Sequence, residues 1–474
     1  MIFRRKRRAS YEMDMTNGNL LPMIVSFSFS LILTNVLQLL YNAADLIVVG
    51  QFSSTPGAVG AIGATGALTN LIVNLFIGLS VGVSVLTARG CGKADRAFVE
   101  RVVHTSVTVA LLSGLFITVF GLLFSEKILT MMGTSEAILG RSVLYLSIYF
   151  IGSPFNMVYN FGASILRATG DTKRPFYFLA ISGLANVLLN LVFVCIFHMD
   201  VAGVAIATVA SQVISAVLVV LCLTRQQGAC RLNLKKLRVD GAVMKEMIRI
   251  GLPASIQSCI FSISNVLIQS SINSFDIPFI AEGRAPYATG SAAAASIEAF
   301  VLMSMSALYQ AALNFTGQNS AAGKYRRVRR ILWQCLGCVT VVGIVMGGIC
   351  ILFGKSLIAI YTPGDAEAIA VGYRRMLLLC SMYFLCGIMD VTVGQLRGLG
   401  RSFVPMCVSI VGICVLRVFW IYTIFAAHHT WEMLIISYPV TWVLTGAAQF
   451  VCYYFIQKKL PKEDAPTQAA PALR

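Results

Sequence analysis

Apolar residues run in long blocks along this chain, separated by short polar bursts. Twelve blocks, centred near residues 34, 70, 112, 149, 186, 212, 260, 302, 342, 383, 414 and 445, are each long enough to cross a bilayer. They predict an all-α membrane protein with twelve transmembrane helices. The N-terminal Arg4-Arg5-Lys6-Arg7-Arg8 has the look of a secretory n-region. The apolar run behind it is longer than a signal core and lacks a small-residue cleavage site, so it reads as an uncleaved first span.

The second half echoes the first at an offset of 230–231. Leu21-Pro22 recurs as Leu252-Pro253, and Asn35-Val36-Leu37 as Asn265-Val266-Leu267. Gly92-Lys93 recurs as Gly323-Lys324, and the Leu166-Arg167-x-x-Gly170 turn with Pro175 as Leu396-Arg397-x-x-Gly400 with Pro405. Each half holds six blocks, an even number, so both halves enter and leave on the same side. Parallel repeats of this kind are related by a pseudo-two-fold along the membrane normal. The expected organisation is a basic N-terminus (1–19), a first six-helix lobe (20–224), a linker (225–245), a second six-helix lobe (246–457) and a tail (458–474). Two such lobes around a cleft suit alternating access by rocking.

Composition agrees: 57% of residues are hydrophobic and 12% charged, against about a quarter charged in soluble domains. That excludes a soluble enzyme and a disordered chain. The net charge of +17 would suggest nucleic acid if the bases shared one face, but they fall in bursts between spans. With the N-terminus inside, inner segments hold 30 Lys and Arg and outer segments six (Lys127, Arg141, Arg284, Lys355, Arg374 and Arg375), with Arg417 alone inside a span. That asymmetry predicts both termini in the cytoplasm, basic loops against anionic membrane lipid, and no nucleic-acid partner. The 13 Cys lie mostly inside apolar runs, where a thiol behaves as a small hydrophobe.

Ionisable side chains at bilayer depth are costly and point to function. Asp45 lies near the outer end of the first span. Asn35, Gln38, Tyr41 and Asn42 precede it at helical spacing and form a supporting polar stripe. On the fifth span Ser182, Asn186 and Asn190 share one face. Counting the rise per residue from the span starts brings Tyr145, Asn186, Asn190 and Thr208 to the depth of Asp45. This set is the candidate coupling site. Asp45 is its proton carrier or, with Asn186, its Na⁺ ligand. In the second lobe Glu298, Asp390 and Arg417 are candidates, either as an ion pair between Arg417 and an acid or as an acid facing the cleft. Asp276, His104, His428 and His429 read as structural or solvated.

Several stretches together carry a family resemblance: LQLLYNAADLIVVG (37–50), ARGCGKADRA (88–97), ILRATGDTKRPF (165–176), GQNSAAGKYRR (317–327) and QLRGLGRSFVPM (395–406). The chain from about Leu20 to Lys458 resembles the multidrug and toxic compound extrusion family, in its bacterial form. The resemblance implies a bacterial plasma-membrane antiporter, expected as a monomer. It would export small organic cations or amphiphilic toxins against inward H⁺ or Na⁺, without a resident cofactor. The family's first-span acid matches Asp45, and its first-lobe cation site is similar to Tyr145, Asn186 and Thr208. Many members carry a second acid four residues after the fifth-span Asn. Asn190 stands there, leaving Asp45 as the lobe's one titratable group. An acid that some members carry early in span seven is also replaced, near Phe261.

The alternative within transport is a flippase for lipid-linked oligosaccharides, which calls for a more basic interior than Arg417 alone supplies. Major-facilitator carriers share the two-lobe plan, but the repeat anchors differ. A membrane enzyme would need a His or acid constellation at one interface, which four scattered His do not form.

Overall fold

Inside a bilayer a chain can satisfy its own amides only through helices or closed barrels, and the long apolar blocks here take the helical solution. The computed structural model describes residues 11–52, 58–282, 284–461 and 464, without the side chains of a few helical residues, Asn42 among them. By contacts the chain divides into two compact units that meet in sequence at Ile248 and Arg249.

The first unit holds α1 (Leu20–Phe52), α2 (Ala58–Gly92), α3 (Arg96–Met131), α4 (Glu136–Ile151), α5 (Ser153–Ala168), α6 (Lys173–Leu191) and α7 (Asp200–Arg225). The second holds α8 (Gly241–Ser274, its first residues in the first unit), α9 (Pro286–Ala321), α10 (Tyr325–Tyr361), α11 (Ala366–Cys380), α12 (Tyr383–Gly398), α13 (Phe403–Ser409), α14 (Leu416–Trp420) and α15 (Trp431–Lys458). Ten stretches are long and apolar enough to cross a membrane alone, α13 and α14 forming one of them. The α4–α5 and α11–α12 pairs, bent by 48° and 49°, complete twelve spans among the described residues, six per unit.

The sequence repeat has physical causes. Gly170 and Gly400 adopt φ of +89° and +73°, which a side chain disfavours. Asp171 N–H donates to Leu166 O at 2.9 Å and Gly170 N–H to Arg167 O at 3.0 Å, closing α5 as a Schellman cap. Arg401 and Gly400 close α12 through Leu396 and Arg397 in the same way, at 2.9 and 2.7 Å. The two bends fall at Gly152 and at Ser381–Met382, again about one repeat apart. Wider π turns follow at Val192–Ile196 and Ile421–Phe425. The second unit has one more, at Ile410–Val415, where the corresponding part of α6 is regular α-helix.

Lipid provides little hydrophobic drive between helices, so small residues that let backbones approach do much of the joining. A Cβ on Gly114 of α3 would lie 2.3 Å from Pro154 Cα of α5, and one on Gly290 of α9 2.2 Å from Ala368 O of α11. The segment between α7 and α8 is fastened to the start of α3. Asn233 N–H donates to His104 Nε2 at 3.1 Å, Asp240 N–H to Thr105 Oγ1 at 3.1 Å, and Arg101 lies 3.6 Å from Asp240. His104 is thus a structural tie. The Val243 N–H, followed by that of Ala242, holds the Asp240 carboxyl below its ordinary range at the start of α8.

Gly114→Ala is expected to overpack the α3–α5 contact and cost about 1–3 kcal/mol, read as a lower melting temperature of the purified protein in detergent. Gly140→Ala, where an added Cβ meets nothing within 4 Å inside α4, is expected to hold or raise the melting temperature, since Ala suits a helix interior better than Gly by about 0.5–1 kcal/mol.

Candidate functional site

In the first unit α1, α4, α6 and α7 bring Asp45, Tyr145, Asn186, Asn190 and Thr208 together. Asn190 Nδ2 donates to Asp45 Oδ1 at 2.6 Å, and Thr208 Oγ1 to Asp45 Oδ2 at 3.4 Å. Asn190 Nδ2 also reaches Asn186 Oδ1 at 3.3 Å, and Asn186 Nδ2 lies 3.5 Å from Thr208 Oγ1. Asn186 and Asn190 are buried, and Asn190 Oδ1 has no hydrogen-bond partner. A buried carbonyl oxygen left unpaired costs about 1–3 kcal/mol, which a bound cation would relieve.

Asp45 opens on a cavity of about 190 Å³ whose walls carry amides, hydroxyls and four tyrosines, and no Lys, Arg or His. Gln38, Tyr41, Tyr145, Asn186 and Thr208 line it, as does Ser182. Tyr41 donates to Ala180 O at 3.3 Å, and its ring lies on Gly183, where a Cβ would sit 1.7 Å from Cζ. Tyr145 stacks on Tyr149 with centroids 6.2 Å apart. One helical turn past the polar groups, Val48, Val49, Val194, Val204 and Ala205 form an apolar layer with Ala61 and Ile62 of α2. Asn35 stands outside the cavity walls, and the Asn42 side chain lies outside the described residues. Tyr149, Asn156, Asn160, Ser211 and Gln212 also line the cavity, beyond the set that the spacing from Asp45 predicts. The signal was present: Asn156 and Asn160 share a face of α5, and Thr208, Ser211, Gln212 and Ser215 a face of α7.

The second unit arranges its charges differently. Glu298 on α9 is clamped by Arg375, whose Nη2 donates to Oε2 at 2.9 Å and Nε to Oε1 at 3.1 Å. Tyr383 donates to the same Oε2 at 2.9 Å, and Arg375 Nη1 to Ser291 at 2.7 Å. This corrects two expectations. Arg375 is no outer-loop residue: it lies on α11, 7% exposed, because α11 is half of a bent span. Glu298 pairs with Arg375 and not with Arg417. Arg417 makes no ion pair with Asp390 either. It stacks on Tyr438, 4.3 Å from the ring centroid, with long contacts to Asn265 (3.5 Å) and Thr441 (3.4 Å). Asp276 accepts from Tyr287 and Ala288 N–H groups, both at 2.8 Å, and caps α9.

The sequence pattern of the MatE family matches residues 30–192 and 261–423. The probable multidrug resistance protein YoeA of Bacillus subtilis is 25% identical over 443 residues, covering 91% of this chain and 93% of its own. The probable multidrug resistance protein YpnP of the same organism is 25% identical, covering 95% and 98%. A solved outward-facing multidrug resistance MATE transporter of the MOP superfamily shares the fold, with a TM-score of 0.87, 20% identity and coverage of 96% and 100%.

Arg375→Met is expected to strand the buried Glu298 carboxylate and to cost about 3–5 kcal/mol. Adding Glu298→Met should recover most of that loss. A double-mutant cycle on melting temperatures in detergent reads the coupling; additive losses would mean that the pair does not act as a unit.

Proposed function

This chain belongs to the MatE family, and from that premise we propose that it is a secondary antiporter exporting organic cations or amphiphilic toxins against inward H⁺ or Na⁺. The observation that carries the reading is Asp45, an acid in a polar cavity without a basic partner. An uncompensated carboxylate in low dielectric favours taking up a neutralising ion. Amide and hydroxyl oxygens from Asn186, Asn190 and Thr208 stand beside it, hard donors that suit Na⁺, while a lone carboxylate also suits H⁺.

In the cycle, Asp45 takes its ion from the outer face. The change in the Asn190 and Thr208 hydrogen bonds alters how α1 packs on α6 and α7, and this disfavours substrate. Linkage makes the opposition mutual: substrate must equally disfavour the ion. Each charge moving inward contributes about 2.3 kcal/mol per 100 mV. We place both termini in the cytoplasm on the strength of the basic loops, and take the protein as a monomer of a bacterial plasma membrane in line with its relatives. The protein then needs no resident cofactor and performs no catalysis. The flippase alternative draws no support from relatives named for multidrug resistance.

Everted vesicles carrying the protein should move a fluorescent organic cation such as ethidium under an imposed H⁺ or Na⁺ gradient. Asp45→Asn should abolish that movement while the protein still reaches the membrane. No movement by the parent under either gradient would overturn the antiport reading, and normal movement by the variant would overturn the site. Asn190→Leu, which removes the donor at 2.6 Å, should weaken the ion dependence without removing it.

A further inference from the structure

The second unit holds a cavity of about 430 Å³, walled in part by Glu298, Arg375, Asp390, Arg417, Tyr438 and Trp442. Arg417 is 3% exposed, its Nε has no hydrogen-bond partner, and its Nη contacts are long. Among the described residues no carboxylate pairs with it: Arg375 takes Glu298, and Asp390, which lines the same cavity, lies beyond ion-pair distance. A charged group at bilayer depth without a counter-ion marks a ligand path or site. The Tyr438 ring covers one face of the guanidinium and makes its burial tolerable. What remains is the edge of the fork, which fits a planar oxyanion through two parallel hydrogen bonds.

The helix that presents Arg417 is unusual in the same place. Its α-helical turn lies between two π turns, Ile410–Val415 and Ile421–Phe425, and the first has no counterpart in the other unit. Single π turns inside α-helices are frequent at functional sites. At the repeat offset Tyr438 corresponds to Thr208, Arg375 to Tyr145, and Arg417 falls within two residues of Asn186. The helices that gather oxygen donors around a lone acid in one unit thus gather two guanidiniums, two carboxylates and aromatic rings in the other, with one guanidinium already spent on Glu298.

We propose that this second-unit cavity binds an aromatic amphiphile bearing a carboxylate, with the carboxylate on Arg417 and the ring system against Tyr438 and Trp442. The site goes beyond the antiport reading, since it lies in the other unit and selects the opposite charge.

The test is binding of 2-naphthoate to the purified full-length protein in detergent by titration calorimetry, against 2-naphthalenemethanol and 2-naphthylmethylammonium as uncharged and cationic analogues. Naphthoate should bind best of the three. Arg417→Met should weaken it on the order of thirtyfold or more. Arg417→Lys should weaken it about five- to tenfold, because an ammonium cannot make the paired bonds. Neither variant should change naphthalenemethanol binding. Arg417→Met should melt at or above the parent temperature, since it removes an unneutralised buried cation, so its lost binding would not report misfolding. Asp45→Asn should bind naphthoate like the parent, which separates this site from the coupling site. Naphthoate binding that survives Arg417→Met, a preference for the ammonium analogue, or loss of binding in Asp45→Asn would overturn the proposal.

Discussion

The structure turns on a carboxylate held without a base. Among the described residues Asp45 receives hydrogen bonds from neutral amide and hydroxyl groups, and no cationic side chain lines its cavity. Burying a charge this way costs free energy that dipoles repay only in part. Under the proposed antiport a mobile ion resolves that cost, and α1, α6 and α7 would accept its arrival and departure. Tyr41 packed on Gly183, and the apolar layer one turn beyond Asp45, give those helices a definite packing to lose and regain.

The second unit shows the same scaffold solving a different electrostatic problem. Its bent span, capped turn and π turn stand at matched positions, so the backbone devices were duplicated with the chain. The charges were not. Glu298, which in isolation resembles Asp45, is locked by Arg375 and Tyr383 into a fixed network. A clamped acid of this kind orders α9 against α11 and α12 and has no cause to exchange ions. The cost of an unneutralised charge falls instead on Arg417, and with it the capacity to recognise an anion.

Much of this was legible in the residues. The twelve spans followed from block length alone, because lipid forces each apolar block to close its own hydrogen bonds. That Tyr145, Asn186, Asn190 and Thr208 meet Asp45 followed from helical rise and spacing, since Asp45, Asn186, Asn190 and Thr208 sit on nearly regular helices. What failed was what a straight helix cannot show. The bend at Ser381–Met382 carries Arg375 inward, so counting charges by loop misplaced it and left Glu298 without its true partner. The bend at Gly152 likewise brings Asn156 and Asn160 to the cavity beside Tyr149, which a single straight span would have turned elsewhere. The π turns around Arg417 leave no periodic trace, because they change which face a residue presents without changing composition.

Equilibrium exchange on the purified protein tests the role of Asp45 most directly. Tetraphenylphosphonium, a lipophilic cation, is added to the protein in weakly buffered detergent solution, and released H⁺ or displaced radioactive Na⁺ is counted. The account predicts that the parent gives up about one coupling ion for each lipophilic cation bound, and that Asp45→Asn binds the cation while releasing none. Equal release from the parent and from Asp45→Asn would contradict it, because the ion would then be held elsewhere.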